Sequence, residues 1–435
     1  MRHPIVFILA ASLSGAVASA QPLQVPAFSQ TTPGPSTIGG SIRDVAIWVG
    51  PPSADAGSDA GPSGLLLTAY NNQNAGLATF GLDGQQLENE QLDGPVVSVA
   101  IREGFRLGAN TLSLAVTSNP GVGLLAYSVD GQRTLDRVQR IGPGPFFLTN
   151  AAFTTVAFYR SPGSGRLFIF ASNDAGALSQ FEMSGEDGGL SATLVNRAIT
   201  VSGPITGMVA DDENRALYVV QAGRAIWRFD AEPTGGSTSV PVVDLTAADS
   251  KLSKNVNRLA LYRAANGEGY LLAADTQAGS FAVLDRRSYA FLGSFVVVPG
   301  THGVGGATAP RALAVTSGPV GAFPDGLFVA QNSSTTGTDD LKLVRWDAVA
   351  LAFNPPLRID TRPAGGVDGG VDAGVDAGSD GGGGGGVGPP PTPGGHLPPE
   401  SEGSGCSCAS ASVPGSVLFG LLALGLSRLR RRRER

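Results

Sequence analysis

Leu217-Tyr218-Val219-Val220-Gln221-Ala222-Gly223-Arg224-Ala225-Ile226-Trp227-Arg228-Phe229-Asp230 decides the fold. A continuous apolar run meets a short polar turn at Gly223, and a second run alternates before closing on Asp230. β-Branched and aromatic residues bounded by Gly, Asn or Asp mark short antiparallel strands. The same two-part phrase recurs, its first part at residues 65–67, 112–116, 167–170, 217–220, 270–272 and 327–329. Second parts follow at residues 77–80, 124–130, 225–230 and 281–285. The phrases return about every 50 residues, the period of a β-propeller, and six of them predict six blades. The nearly unbroken apolar character of the first part suits a strand buried between neighbouring blades. No segment sustains a helical period, so the class expected is all-β. Trp48, Trp227 and Trp346 fall inside these patterns and read as blade core, not as a platform for sugars or bases.

The 435-residue chain has room for one such domain and tails, and 42% hydrophobic residues supply a real core. A net charge of −6 gives no support to nucleic-acid binding. The His residues are His3, His302 and His396, and the Cys residues Cys406 and Cys408. The repeat region thus holds one His and no Cys, which excludes a disulfide scaffold, a Cys nucleophile and nearly all His-based chemistry. His302, in the Gly-rich stretch 300–306, has no partner signature and reads as a surface residue.

The tails carry addresses. Residues 1–20 form a secretory signal peptide: Arg2 and His3, an apolar run from Ile5, and Ala18-Ser19-Ala20 as the cleavage site. Residues 21–39 read as an N-terminal extension, 40–355 as the propeller and 356–405 as a linker. Within the linker, Gly, Asp and Ala recur every four residues before Gly381–Gly386 and a Pro run, a composition that behaves as a disordered spacer. Residues 406–435 place Cys406 and Cys408 before an apolar run from Gly415 and a cluster of Arg from Arg428. That run is shorter than the roughly 20 residues of a spanning helix. The order resembles the C-terminal sorting tag of myxobacterial exported proteins (MYXO-CTERM), which implies removal of the tag and an anchor at Cys406. The expected product is an exported monomer at the cell surface or outer membrane, with extracellular release as the alternative, touching membrane only through its tag.

Longer motifs bring in a family. Asp44-Val45-Ala46-Ile47-Trp48-Val49, Val209-Ala210-Asp211-Asp212-Glu213, Ala225-Ile226-Trp227-Arg228-Phe229-Asp230-Ala231-Glu232-Pro233 and Phe323-Pro324-Asp325-Gly326-Leu327-Phe328-Val329-Ala330-Gln331 resemble, in order, the β-propeller phytases. The resemblance implies a six-bladed 3-phytase that releases phosphate from inositol hexakisphosphate with calcium held by acids at the channel mouth. Calcium takes roughly six to eight oxygen ligands, mainly carboxylates, and can activate water without His or Cys.

Position by position, the chain departs from that pattern. Asp44 stands beside Arg43 where the family has paired acids. Ala100, Thr206, Gln221, Ala222, Asn255, Asn257, Arg311, Ala314 and Asn332 occupy other positions where acids are implied. Thr154, Asp174, Gln73 and Asn74 replace an implied Tyr and Lys residues, and the only lysines are Lys251, Lys254 and Lys342. Asp44, Asp211 and Asp212 remain as metal candidates, although acids in a turn are commonly just solvated. Catalysis is therefore expected to be impaired or lost. The alternative is a non-catalytic propeller whose Arg43, Lys254, Arg258 and Arg311 bind an inositol phosphate or acidic surface polymer.

Overall fold

Each phrase folds as two adjacent antiparallel strands inside a four- or five-stranded blade. The computed structural model describes residues 21–361 except 34–40, 52–62, 72–75, 91–94, 143, 147–151, 186–187, 196 and 335–338. The signal peptide with Ala20, the linker beyond residue 361, the tag with Cys406, and Gln73 and Asn74 lie outside the described residues. The chain divides into two units, Met1–Gly370 and Val371–Arg435, and all described residues belong to the first.

Six sheets follow one another among the described residues. Their innermost strands are Ile42–Val49, Ser98–Leu107, Phe153–Arg160, Ile205–Asp211, Val256–Arg263 and Leu313–Thr316. Each packs on the next, and the sixth packs on the first, so the ring closes around a channel. This is the expected six-bladed propeller.

The second strands explain the apolar runs. In Ala216–Gln221, Leu217 and Val219 pack into the cleft toward blade 3, while Ala216, Tyr218 and Val220 pack toward blade 5. Both faces are buried, so the alternation of a half-exposed strand disappears. The core is accordingly divided into six clusters, one in each cleft. A fully buried aliphatic side chain contributes about 1.5–3 kcal/mol, and Leu66, Leu114, Ile169, Leu217, Leu271 and Val329 are all inaccessible.

The propeller takes in more chain than residues 40–355. Ser29–Gln30 pairs antiparallel with Asp340–Arg345 as the outer strand of blade 6. Leu23–Pro26 adds a parallel fifth strand to blade 5, and Thr32 N donates to Gly84 O of blade 1 at 2.8 Å. The supposed extension thus joins three blades. Trp346 is not in a strand; it opens the helix Trp346–Ala352, fully buried and stacked on Tyr262 with ring centroids 4.0 Å apart. Trp48 is buried in the blade 1–blade 2 cleft and Trp227 packs half-buried against the blade 3–blade 4 cleft, as expected of core.

Candidate functional site

A repeated register break shapes one end of the channel. In blade 1, Ile42 pairs with Tyr70 and Asp44 with Ala69, so Arg43 is an extra residue. Thr154 and Thr206 are extra in the same way in blades 3 and 4, and blade 5 breaks register between Val256 and Leu259, across Asn257 and Arg258. A bulge of this kind re-aims a side chain. The displaced residues, with Asn71, Val97 and Arg311, line a mouth cavity of about 280 Å³.

Arg43 and Arg311 are half-buried there. The Asn71 amide oxygen accepts from Arg43 Nη2 at 2.9 Å and Nε at 3.2 Å. Burial, then the like charges of Arg311 and Arg258, pull the Arg43 guanidinium below its ordinary value, with Asp339 opposing. Asn257 Nδ2 donates to Thr276 Oγ1 at 2.6 Å, and Thr206 Oγ1 to Val256 O at 3.2 Å.

Arg258 forms the floor. Its Nε donates to Arg43 O at 3.2 Å, Nη1 to Thr206 O and Nη2 to Val97 O, and Nε lies 3.5 Å from Asp44 Oδ1. One side chain from blade 5 therefore ties blade 4, blade 1 and the lead-in to blade 2. Asp44 also accepts from Ser98 Oγ at 2.6 Å, Val45 N at 3.1 Å and Val99 N at 3.2 Å. Burial pushes the Asp44 carboxyl above its ordinary range, against the charge of Arg258 and these hydrogen bonds. Beneath this neck the channel holds a second cavity of about 170 Å³.

Asp211 and Asp212 sit at the opposite end of the blade 4 inner strand. Asp211 accepts from Arg286 through both oxygens, Nε to Oδ2 at 2.6 Å, and from Asn214 Nδ2 at 2.9 Å. Neither partner of that ion pair is accessible. Asp212 accepts from Arg102 Nη1 at 2.6 Å and Arg160 N at 3.0 Å. Both acids are consumed in joining blades, and neither approaches Asp44.

The structure thus brings Arg43, Arg258 and Arg311 together. Lys254 does not join them; it is exposed in the loop before Val256 and lines neither cavity. His302 is exposed, with Nδ1 3.0 Å from Thr301 Oγ1. Asn71, Ser98 and the carbonyl of Val97 were not foreseen. A lone Ser98 ahead of Val99-Ala100-Ile101 was a signal for the second; carbonyls leave no mark on a sequence. No carboxylate lines the mouth cavity, and no group of three or more His, Cys, Asp or Glu able to hold a metal occurs among the described residues. The described residues of the mouth do not fit calcium.

The family model described as Phytase matches residues 3–363. A 3-phytase of Bacillus subtilis (strain 168) is 28% identical over 333 residues, 74% of this chain and 84% of that protein. Among solved structures, BBS1N in complex with ARL6DN is similar at a TM-score of 0.38 and 12% identity, covering 64% of this chain and 75% of the other. That likeness is too slight to inform the mouth.

Proposed function

This chain belongs to the phytase family, and on that premise we propose that it is an exported, surface-tethered member in which calcium-dependent phosphate release is lost. The observation that carries the proposal is the mouth itself: Arg43, Thr154, Thr206, Asn257, Arg258 and Arg311 face it, and none is a carboxylate. Among the described residues the mouth lacks the clustered carboxylates that collect calcium, and the repeat region offers no Cys nucleophile or His pair in their stead. The A-x-A cleavage site at Ala20 and the Cys406-apolar-Arg order support export and surface attachment. The test is phosphate release from inositol hexakisphosphate by the purified full chain, with calcium and with chelator. We expect release at the level of buffer in both. Calcium-stimulated turnover would overturn the proposal.

A further inference from the structure

The positive charge at the mouth is fixed and concave: Arg258 is paired with Asp44 beneath it, and the cavity lining holds no carboxylate for Arg43 or Arg311. Arg43 and Arg311 flank a volume of about 280 Å³, slightly below the roughly 300–1,000 Å³ that engulfs a drug-sized ligand. Such a space takes a head group and leaves the remainder of a larger molecule outside. Arg311 holds its place through its backbone, whose N donates to Gln331 Oε1 at 2.7 Å, so its guanidinium is not spent in setting its position.

The floor has a second meaning. Carbonyl oxygens of Arg43, Val97 and Thr206, with the carboxylate of Asp44, converge on Arg258. Carbonyls and a carboxylate from separate segments are the donor set of a hard cation. Here the cation is a guanidinium covalently tethered to blade 5, which cannot dissociate or be chelated.

We propose that the mouth is a metal-free receptor for the phosphate group of a phosphomonoester, gripped by Arg43 and Arg311 above the fixed charge of Arg258. The proposal rests on the reading that calcium chemistry is lost. Guanidinium forks match phosphate oxygens in pairs without an intervening metal. A dianion relieves the mutual repulsion of the three arginines better than a monoanion does.

The experiment uses the full chain in chelator, titrated calorimetrically with inositol hexakisphosphate and, separately, with inorganic phosphate. Binding is expected in chelator, with affinity falling as salt rises. Arg43→Gln and Arg311→Gln should each weaken it about tenfold, the loss of a charge-assisted hydrogen bond, at unchanged melting temperature. Arg311→Lys should retain part of the affinity, because it keeps the charge and loses the fork. Competition by inorganic phosphate places the free ion in the same site; hexakisphosphate binding that phosphate cannot compete away overturns the assignment to a single phosphate group. Absence of binding in chelator, binding restored only by calcium, or indifference to both glutamine substitutions also overturns it. Phosphate release measured on the same samples with calcium keeps the two readings apart: turnover there sinks the loss of chemistry while the chelator titration still judges the receptor.

Discussion

Two buried carboxylates show how surroundings decide the fate of a charge. Burial pushes Asp211 upward, but the paired hydrogen bonds and charge of Arg286, with Asn214, outweigh it and hold the carboxyl below its ordinary value. An unfolded Asp titrates near about 3.9. Between that value and the lower folded one the unfolded chain binds more protons, so this stability is present above about pH 4 and lost as pH falls. Asp211→Asn should therefore flatten the acid limb of a stability–pH profile followed by urea unfolding. At neutral pH it should cost about 3–5 kcal/mol, since Arg286 is left buried with Glu213 as its remaining ion-pair partner. An unchanged limb would contradict the assignment. Asp44 is moved the other way, and its cation is Arg258. Arg258→Gly should cost a similar amount and free the oxygens at the neck. Urea unfolding checks this, and unchanged stability would contradict the picture of a tethered cation. Arg43, Arg258 and Arg311 were legible as residues out of place in the phytase pattern. Their convergence was not, because it depends on register breaks at Arg43 and Arg258 and on the closing of the blades into a ring. Asp211 and Asp212 were readable as acids, but the Arg286 and Arg102 that claim them come from other blades.

At the scale of elements, legibility followed burial. Second strands stand out because both faces are covered; innermost strands are weaker signals because one edge meets a channel lined by small and polar residues such as Ala100, Ser98 and Ala314. The helix Trp346–Ala352 is too short for a period to declare it. Its role is to seat the segment that follows. Trp346 Nε1 donates to Arg358 O at 2.9 Å, Arg358 N to Tyr270 Oη at 2.7 Å, Asp360 N to Tyr262 Oη at 2.8 Å, and Ala265 N to Asp360 Oδ2 at 2.7 Å. Leu357 is buried among the same partners. A chain ending at Thr361 should melt like the full protein, whereas one ending at Asn354 should melt several degrees lower, exposing Tyr262 and Trp346. Scanning calorimetry of the pair checks this, and equal melting would show that the segment contributes nothing.

At the scale of the whole molecule, six phrases were enough to predict six blades, but not how the circle closes. The closing strand, Ser29–Gln30, is two residues long and belongs to no repeat, so nothing local announces it. It is held by Phe28 N to Leu343 O, Thr31 N to Leu341 O, and Leu341 N to Thr31 Oγ1, the last two contacts spanning 310 positions. That arrangement has a consequence in time. Residues 29–30 are among the earliest of the described chain to be synthesised, and their partners, residues 340–345, among the last. The first segment must stay unpaired until almost all of the propeller has been made. Loop closure over such a span costs entropy before any contact repays it, which slows folding. The early strand thus remains an open edge during biogenesis, able to pair elsewhere, until the last blade supplies its partner.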